Sequence, residues 1–146
     1  MNKDLFLGIK MSEEAEASNH NYLRGLLYFS KEILNLYPEI PLVELLRLRN
    51  SLTDFKHLTR RDEENTTNEE EENVIRDILD FVTDVINKIN KTAEALNMNA
   101  PNQTEIMHGC ITFFKTILKK VLISVSTASF ADYDNWPQYI KNFIEA

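Results

Sequence analysis

The chain has 146 residues, of which 43% are hydrophobic, and this is enough apolar material to build the core of one domain. It contains 3 glycines and 4 prolines. Average usage predicts about ten and seven, so turns are few and elements long, which favours helices over a many-stranded β fold. The formal net charge of −7 argues against non-specific binding to nucleic acid, because phosphate contacts need clustered Lys and Arg.

The first predicted helix covers residues 12–37, where apolar side chains recur every three or four positions until Pro38 ends the pattern. Gly25 lies inside this helix and costs roughly 1 kcal/mol relative to alanine, unless a neighbouring helix packs closely against it. The second predicted helix covers residues 42–61. Its large apolar side chains fall on one side, which we expect to be core: Leu45, Leu48, Leu52, Phe55 and Leu58.

The segment after the second helix is strongly acidic. Residues 62–72 contain seven of the 23 acidic side chains and no basic one, so the other 16 acidic residues are balanced by 16 Lys and Arg. Residues 61–73 lack any apolar side chain, and we therefore predict a mobile loop over about 62–72. Its last four glutamates coincide with the start of the next helix, where the helix macrodipole stabilises negative charge by roughly 0.3 to 1 kcal/mol.

Two further long helices are predicted, over residues 69–97 and 105–128, because each has apolar side chains along one arc and polar side chains along the other. The β-branched run at residues 121–127 is also typical of a strand, but length and phase favour a helix. Trp136 and Ile140 recur at helical spacing in a short last helix. The elements predict an all-α fold, a bundle of four main amphipathic helices plus a short C-terminal helix.

We expect this bundle to be a single domain spanning residues 1–146. The apolar patch within residues 1–10 is shorter than a signal-peptide core, and no stretch approaches the roughly 18 apolar residues of a membrane span. Cys110 is the only cysteine, which excludes an intrachain disulfide and indicates a reducing compartment. The sequence therefore predicts a cytoplasmic protein that does not enter a membrane.

A polar stripe on the second helix carries the best candidate for chemistry. Arg49, Thr53, His57 and Arg60 project on the side away from the predicted core, and an Arg and a His on one face can hold a phosphate and move a proton. Arg49-Asn50 followed by His57 resembles the HEPN superfamily of helical nucleases and nucleotidyl-transfer-associated domains, which pairs Arg with His in an Arg-x4-6-His motif, often with Asn directly after Arg. Seven residues intervene here.

The resemblance implies an alternative function, a ribonuclease or nucleotide-handling toxin that uses Arg49 and His57 and brings two such pairs together in a dimer. The other interpretation of the stripe is an ordinary solvated helix face, because Arg, Thr and His are common on exposed helices. We favour this second interpretation.

Metal and cofactor chemistry is weakly supported by the sequence. Asp77, Asp80 and Asp84 share a face of the third helix, but they would hold Mg²⁺ only if another helix supplied further carboxylates. The histidines show neither His-x-x-x-His nor Glu-x-x-His spacing. No glycine-rich phosphate loop or serine nucleophile elbow occurs. We therefore predict no metal, no cofactor and a non-catalytic role rather than an enzyme.

The remaining features concern contacts with other proteins. The acidic segment can cover a basic surface, and large aromatic residues near a rim are favoured at interfaces. The alternative for these aromatic residues is that the terminal helix buries them. We predict a small acidic protein-binding protein of the inhibitor, immunity-protein, antitoxin or adaptor type, whose partner carries a basic surface. A third possibility is a helical subunit of a larger complex, and a homodimer is compatible with the sequence. The predicted binding residues are Glu63, Glu64, Glu69, Glu70, Glu71, Glu72, Arg49, Thr53, Arg60 and Trp136.

Overall fold

The computed structural model describes residues 20–98 and 101–146. This part of the chain contains five α-helices and no strand, which confirms the all-α prediction of four main helices and a short C-terminal one. Residues 12–19 of the first predicted helix lie outside the described residues. A 3-10 turn at Tyr133–Asn135 precedes the last helix. The helices are α1 (Asn21–Leu34), α2 (Leu42–Asn65), α3 (Glu69–Asn97), α4 (Gln103–Ser126) and α5 (Gln138–Glu145).

The four long helices pack around one core. α3 makes its most extensive contacts with α2 and α4, and short connections make both neighbours antiparallel to it. α1 packs against α2 and α4 and also touches α3, while α5 folds back over α1 and α4. None of these helices combines the length and the apolar composition that crossing a membrane requires, in the ranges 20–98 and 101–146.

The predicted core side of α2 is the side that the structure buries. Leu45, Leu52 and Phe55 are almost completely inaccessible, Leu48 is buried, and Leu58 is half-buried at the edge. Burying one such side chain contributes about 1.5 to 3 kcal/mol relative to leaving it in water. The periodicity of the second helix was therefore sufficient to identify its inner face.

The predicted loop over residues 62–72 is wrong in its extent. α2 continues to Asn65 and α3 begins at Glu69, so only residues 66–68 connect the two helices. The backbone N–H of Thr66 still donates to the carbonyl of Asp62 at 3.1 Å, and the Asn68 side chain caps α3 by accepting from the Glu71 N–H at 2.9 Å. Backbone hydrogen bonds carry a helix past its last core contact, which a pattern of apolar residues does not reveal.

Residues 121–126 belong to α4, which ends at Ser126 with Thr127 as its C-cap, so the strand alternative is excluded. β-branched residues lose little stability there because Val121 and Val125 are buried against the neighbouring helices. Cys110 is buried in the same helix, and burial raises the pKa of its thiol above the usual 9.0.

Candidate functional site

The antiparallel pairing of α2 and α3 gathers the acidic segment at one end of the bundle. The last turn of α2 and the first turn of α3 lie side by side because residues 66–68 form a tight connection between them. The seven carboxylates of residues 62–72, a segment without a basic residue, therefore form one surface. We call this surface the acidic end, and it consists of Asp62, Glu63, Glu64, Glu69, Glu70, Glu71 and Glu72.

Three of these glutamates are engaged within the fold. Glu70 accepts hydrogen bonds from the hydroxyl of Ser129 and, at 3.3 Å, from its backbone N–H. Glu72 pairs with Arg76 one turn further along α3, with 2.8 Å between Oε1 and Nη2. Glu71 Oε1 lies 3.7 Å from Nδ1 of the histidine that precedes α1. These contacts fix the start of α3 and leave fewer carboxylates available to another molecule.

The carboxylates of Glu63, Glu64 and Glu69 have no hydrogen bond or ion pair with any residue at 20–98 or 101–146. Glu64 and Glu69 are exposed, and Glu63 is half-buried. These three side chains are therefore the part of the acidic end that is open to a partner.

A polar cleft of about 410 Å³ lies beside the acidic end, between the start of α1 and the connection from α2 to α3. Its walls include His20, Tyr22, Asp62 and Glu71. The Tyr22 hydroxyl lies 3.1 Å from His20 Nδ1, and the ring of Tyr22 is almost fully buried. Burial, and after it the carboxylates of Glu71 and Asp62, raise the pKa of the Tyr22 phenol well above its usual value.

The involvement of His20 and Tyr22 was not predicted from the sequence. The hydroxyl of Tyr22 and the imidazole of His20 meet Glu71 only because α1 packs across the start of α3. Some fifty positions separate the two segments, and no local periodicity connects them. The aromatic side of this cluster is closed by Phe130, whose ring centroid lies 4.6 Å from that of His20.

The two ends of the polar stripe of α2 lie apart in the structure. Arg49 and His57 are eight positions apart, a distance of about 12 Å along a helix axis. The Arg49 guanidinium donates from Nη1 to Asn90 Oδ1 at 3.1 Å, and from Nε and Nη2 to Asn50 Oδ1 at 3.3 and 3.2 Å. Arg49 therefore joins α2 to α3, while His57 stands exposed two turns away.

Thr53 and Arg60 complete the predicted stripe. The Thr53 hydroxyl donates to the backbone carbonyl of Arg49 at 2.9 Å, which is the usual bond of a threonine inside a helix. Arg60 is exposed near the acidic end of α2. The hydrogen bond of Thr53 and the exposure of Arg60 are both ordinary for a solvated helix face.

Trp136 was predicted as a binding residue, and the structure corrects this. The side chain is 2% exposed, so it is a core residue. Its Nε1 donates to the backbone carbonyl of Ala131 at 2.7 Å, and its ring meets Tyr133 edge to face at 5.2 Å between centroids. The fold-back of α5 and the preceding turn buries the indole, which the spacing of aromatic residues alone could not decide.

The aspartates on α3 also serve the fold. Asp77 accepts a hydrogen bond from the Ser124 hydroxyl at 3.0 Å and so links α3 to α4, whereas Asp80 and Asp84 are exposed. No group of three or more His, Cys, Asp or Glu side chains in the described ranges is arranged to hold a metal ion.

Comparisons with protein-family models, with curated proteins and with solved structures find no match to this chain.

Proposed function

We propose that this protein is a non-catalytic binding protein whose acidic end docks on a basic surface of another protein, in the manner of an inhibitor, an immunity protein, an antitoxin or an adaptor. One observation carries the proposal. The whole excess of negative charge is gathered at one end of the bundle, and Glu63, Glu64 and Glu69 there have no partner in the described part of the chain. The rest of the chain carries equal numbers of acidic and basic residues.

The position of two of these charges supports a role outside the fold. Glu63 and Glu64 lie in the last turn of α2, which contains no basic residue, and the negative end of the helix macrodipole lies there. A carboxylate at this position is unfavourable by roughly 0.3 to 1 kcal/mol. Charged side chains that lower the stability of the fold are typical of functional surfaces.

Electrostatic attraction explains what such a surface does. Carboxylates that face a basic partner steer the two proteins together and increase the association rate more than the final affinity. Salt weakens this steering because the Debye length is about 8 Å at physiological ionic strength. The proposal includes a cytoplasmic location, which is supported by a single cysteine buried as a thiol in α4.

The test compares two triple variants with the same net charge. Glu63→Gln/Glu64→Gln/Glu69→Gln neutralises the open part of the acidic end. Its matched control neutralises three exposed acidic residues elsewhere on α3, Asp80→Asn/Asp84→Asn/Glu94→Gln.

Each tagged variant is used to capture proteins from an extract of the native host. The proposal predicts that a basic protein binds the native chain and the control but not the acidic-end variant. With that protein purified, the acidic-end variant should associate more slowly and with a weaker salt dependence. Equal capture or equal association rates for the two triple variants would refute the proposal.

The ribonuclease alternative requires Arg49 and His57 to act together, and this can be tested directly. The purified chain is incubated with single-stranded RNA beside its His57→Ala variant. RNA cleavage that disappears in the variant would replace the binding function by the alternative. An RNA substrate left intact by both proteins would remove the alternative. Stable co-purification of the native chain in a fixed assembly would instead support the helical-subunit alternative.

A further inference from the structure

The outward face of α4 carries a stripe of exposed residues that runs along most of the helix. Two large apolar side chains lie on it, Phe113 with 37% and Ile123 with 45% of the side chain exposed. At an advance of 100° per residue the stripe occupies an arc of about 100°. Its central members are Glu105, Gly109, Thr112, Phe113, Thr116 and Lys120.

The middle of this stripe lets another helix approach closely. A Cβ atom added at Gly109 would meet no other part of residues 20–98 and 101–146 within 4 Å, so this part of the chain leaves the space above it open. Thr112 and Thr116 are small, and the Thr116 hydroxyl is already satisfied by the Thr112 carbonyl at 2.9 Å. Packed helices lie 8 to 10 Å apart depending on the side chains between them, and small residues give the shorter distances.

The stripe is complementary to itself when a second copy lies antiparallel to it. The midpoint falls between Thr112 and Phe113. A two-fold axis there places Gly109 opposite Thr116 of the second copy, and Phe113 opposite the second copy's Thr112. The same axis places Glu105 opposite Lys120 of the second copy, twice in the dimer, because an isologous interface repeats every contact.

The two charges at the ends of the stripe are available for this pairing. Neither the Glu105 carboxylate nor the Lys120 ammonium group has a hydrogen bond or ion pair with a residue in the ranges 20–98 and 101–146. Both side chains are exposed. Opposite charges at both ends fix the register of an antiparallel pair, since a parallel pair would place like charges together.

We propose that the α4 stripe is a homodimer interface in which two copies of α4 pair antiparallel through Phe113, Gly109 and Thr116, with Glu105 and Lys120 as reciprocal ion pairs. The inference does not depend on the proposed function. α4 ends beside the acidic end, as the bond between Glu70 and Ser129 shows. The antiparallel dimer therefore exposes two acidic ends that point away from each other.

The mass of the native protein in solution is measured by sedimentation equilibrium over a range of concentrations. It should approach twice the 17.0 kDa of one chain as concentration increases. Lys120→Glu places two glutamates opposite each other at both ends of the interface and should raise the dissociation constant of the dimer by about tenfold or more. Lys91→Glu, the same charge change at an exposed site on α3, should leave it unaltered.

Charge exchange makes the register testable. Glu105→Lys/Lys120→Glu has the net charge of the native protein and should restore the dimer that Lys120→Glu weakens. Gly109→Leu places a large side chain at an exposed position where a Cβ atom meets nothing in the described ranges, so the variant should fold and yet remain monomeric. Circular dichroism verifies folding of each variant.

A native chain that stays monomeric at all concentrations would overturn the proposal. So would a dimer that Lys120→Glu and Gly109→Leu leave intact, or one that the charge exchange does not restore. The acidic-end triple variant should dimerise like the native chain, which separates a failure of this inference from a failure of the proposed function.

Discussion

The ring of Phe55 occupies the space in which a side chain at Gly25 would begin. A Cβ atom on Gly25 would lie 2.6 Å from Cζ and 2.7 Å from Cδ1 of Phe55, well inside van der Waals contact. α1 and α2 approach each other at this point because residue 25 has no side chain. The cost of a glycine within a helix, roughly 1 kcal/mol, is therefore offset by the close packing of α1 against α2.

The two glycines of the helices should respond oppositely to alanine. Gly25→Ala forces the Phe55 ring to move and should lower the free energy of unfolding by about 1 to 3 kcal/mol. In the monomer, Gly109→Ala meets no other part of residues 20–98 and 101–146 and gains helix propensity. At concentrations below the dissociation constant of the dimer it should therefore raise the free energy of unfolding by about 0.5 to 1 kcal/mol. Urea unfolding followed by circular dichroism measures both. A gain in stability from Gly25→Ala would contradict the packing described at Gly25, and a loss from Gly109→Ala would contradict the open space at Gly109.

Trp136 is the only tryptophan and should report on folding. Because the indole is buried and bonded to Ala131, its fluorescence should be blue-shifted in the folded protein and resist quenching by acrylamide, and should shift to the red on unfolding. Trp136→Phe leaves the Ala131 carbonyl without its donor and should destabilise the fold by about 1 to 3 kcal/mol. Red-shifted, easily quenched emission from the native chain would show that Trp136 lies at the surface.

Glutamates at the acidic end should divide into two classes by their effect on stability. Glu64→Gln removes a charge from the negative end of α2 and should stabilise by about 0.3 to 1 kcal/mol, whereas Glu69→Gln removes one from the positive end of α3 and should destabilise by a similar amount. Both should slow association with a basic partner. Thermal unfolding at low ionic strength measures the two changes in stability. An equal shift of the melting temperature by the two variants would argue against a helix-dipole origin.

Stability should fall at alkaline pH because of Tyr22. Burial and the carboxylates of Glu71 and Asp62 raise the pKa of this phenol in the folded state above the usual 10.0. Above that pH the unfolded chain releases the proton and the folded chain retains it, so the free energy of unfolding decreases by up to about 1.4 kcal/mol per pH unit. Below pH 10 the contribution of Tyr22 to the free energy of unfolding is fully present.

Tyr22→Phe should therefore flatten the decrease in stability between about pH 10 and 11, the region where an ordinary phenol titrates. Tyr37→Phe changes an exposed tyrosine and serves as its control. Urea unfolding at several pH values measures the slope for each protein. An identical slope in the native chain and in Tyr22→Phe would show that another group is responsible.

Helix type and inward face were predictable because both depend on local periodicity. The core side chains of α2 were assigned from their spacing alone, and the start of α3 was found at the glutamates that its dipole favours. The predicted acidic loop was too long because backbone hydrogen bonding extends α2 beyond its last apolar residue. The sequence left both burial under the terminal helix and a binding role open for Trp136, because its burial depends on how α5 folds back, and the spacing of its residues does not determine this.

The amino-acid sequence alone establishes that this chain forms long amphipathic helices and that its excess charge falls within one short segment. Both features depend on side chains at neighbouring positions and on the period of 3.6 residues of a helix. The packing of the helices establishes which glutamates have no partner among residues 20–98 and 101–146, that Arg49 bonds to Asn90, and that His20 and Tyr22 lie beside Glu71. Those relationships join residues some forty to fifty positions apart. They arise from the packing of whole helices, and no local pattern encodes them.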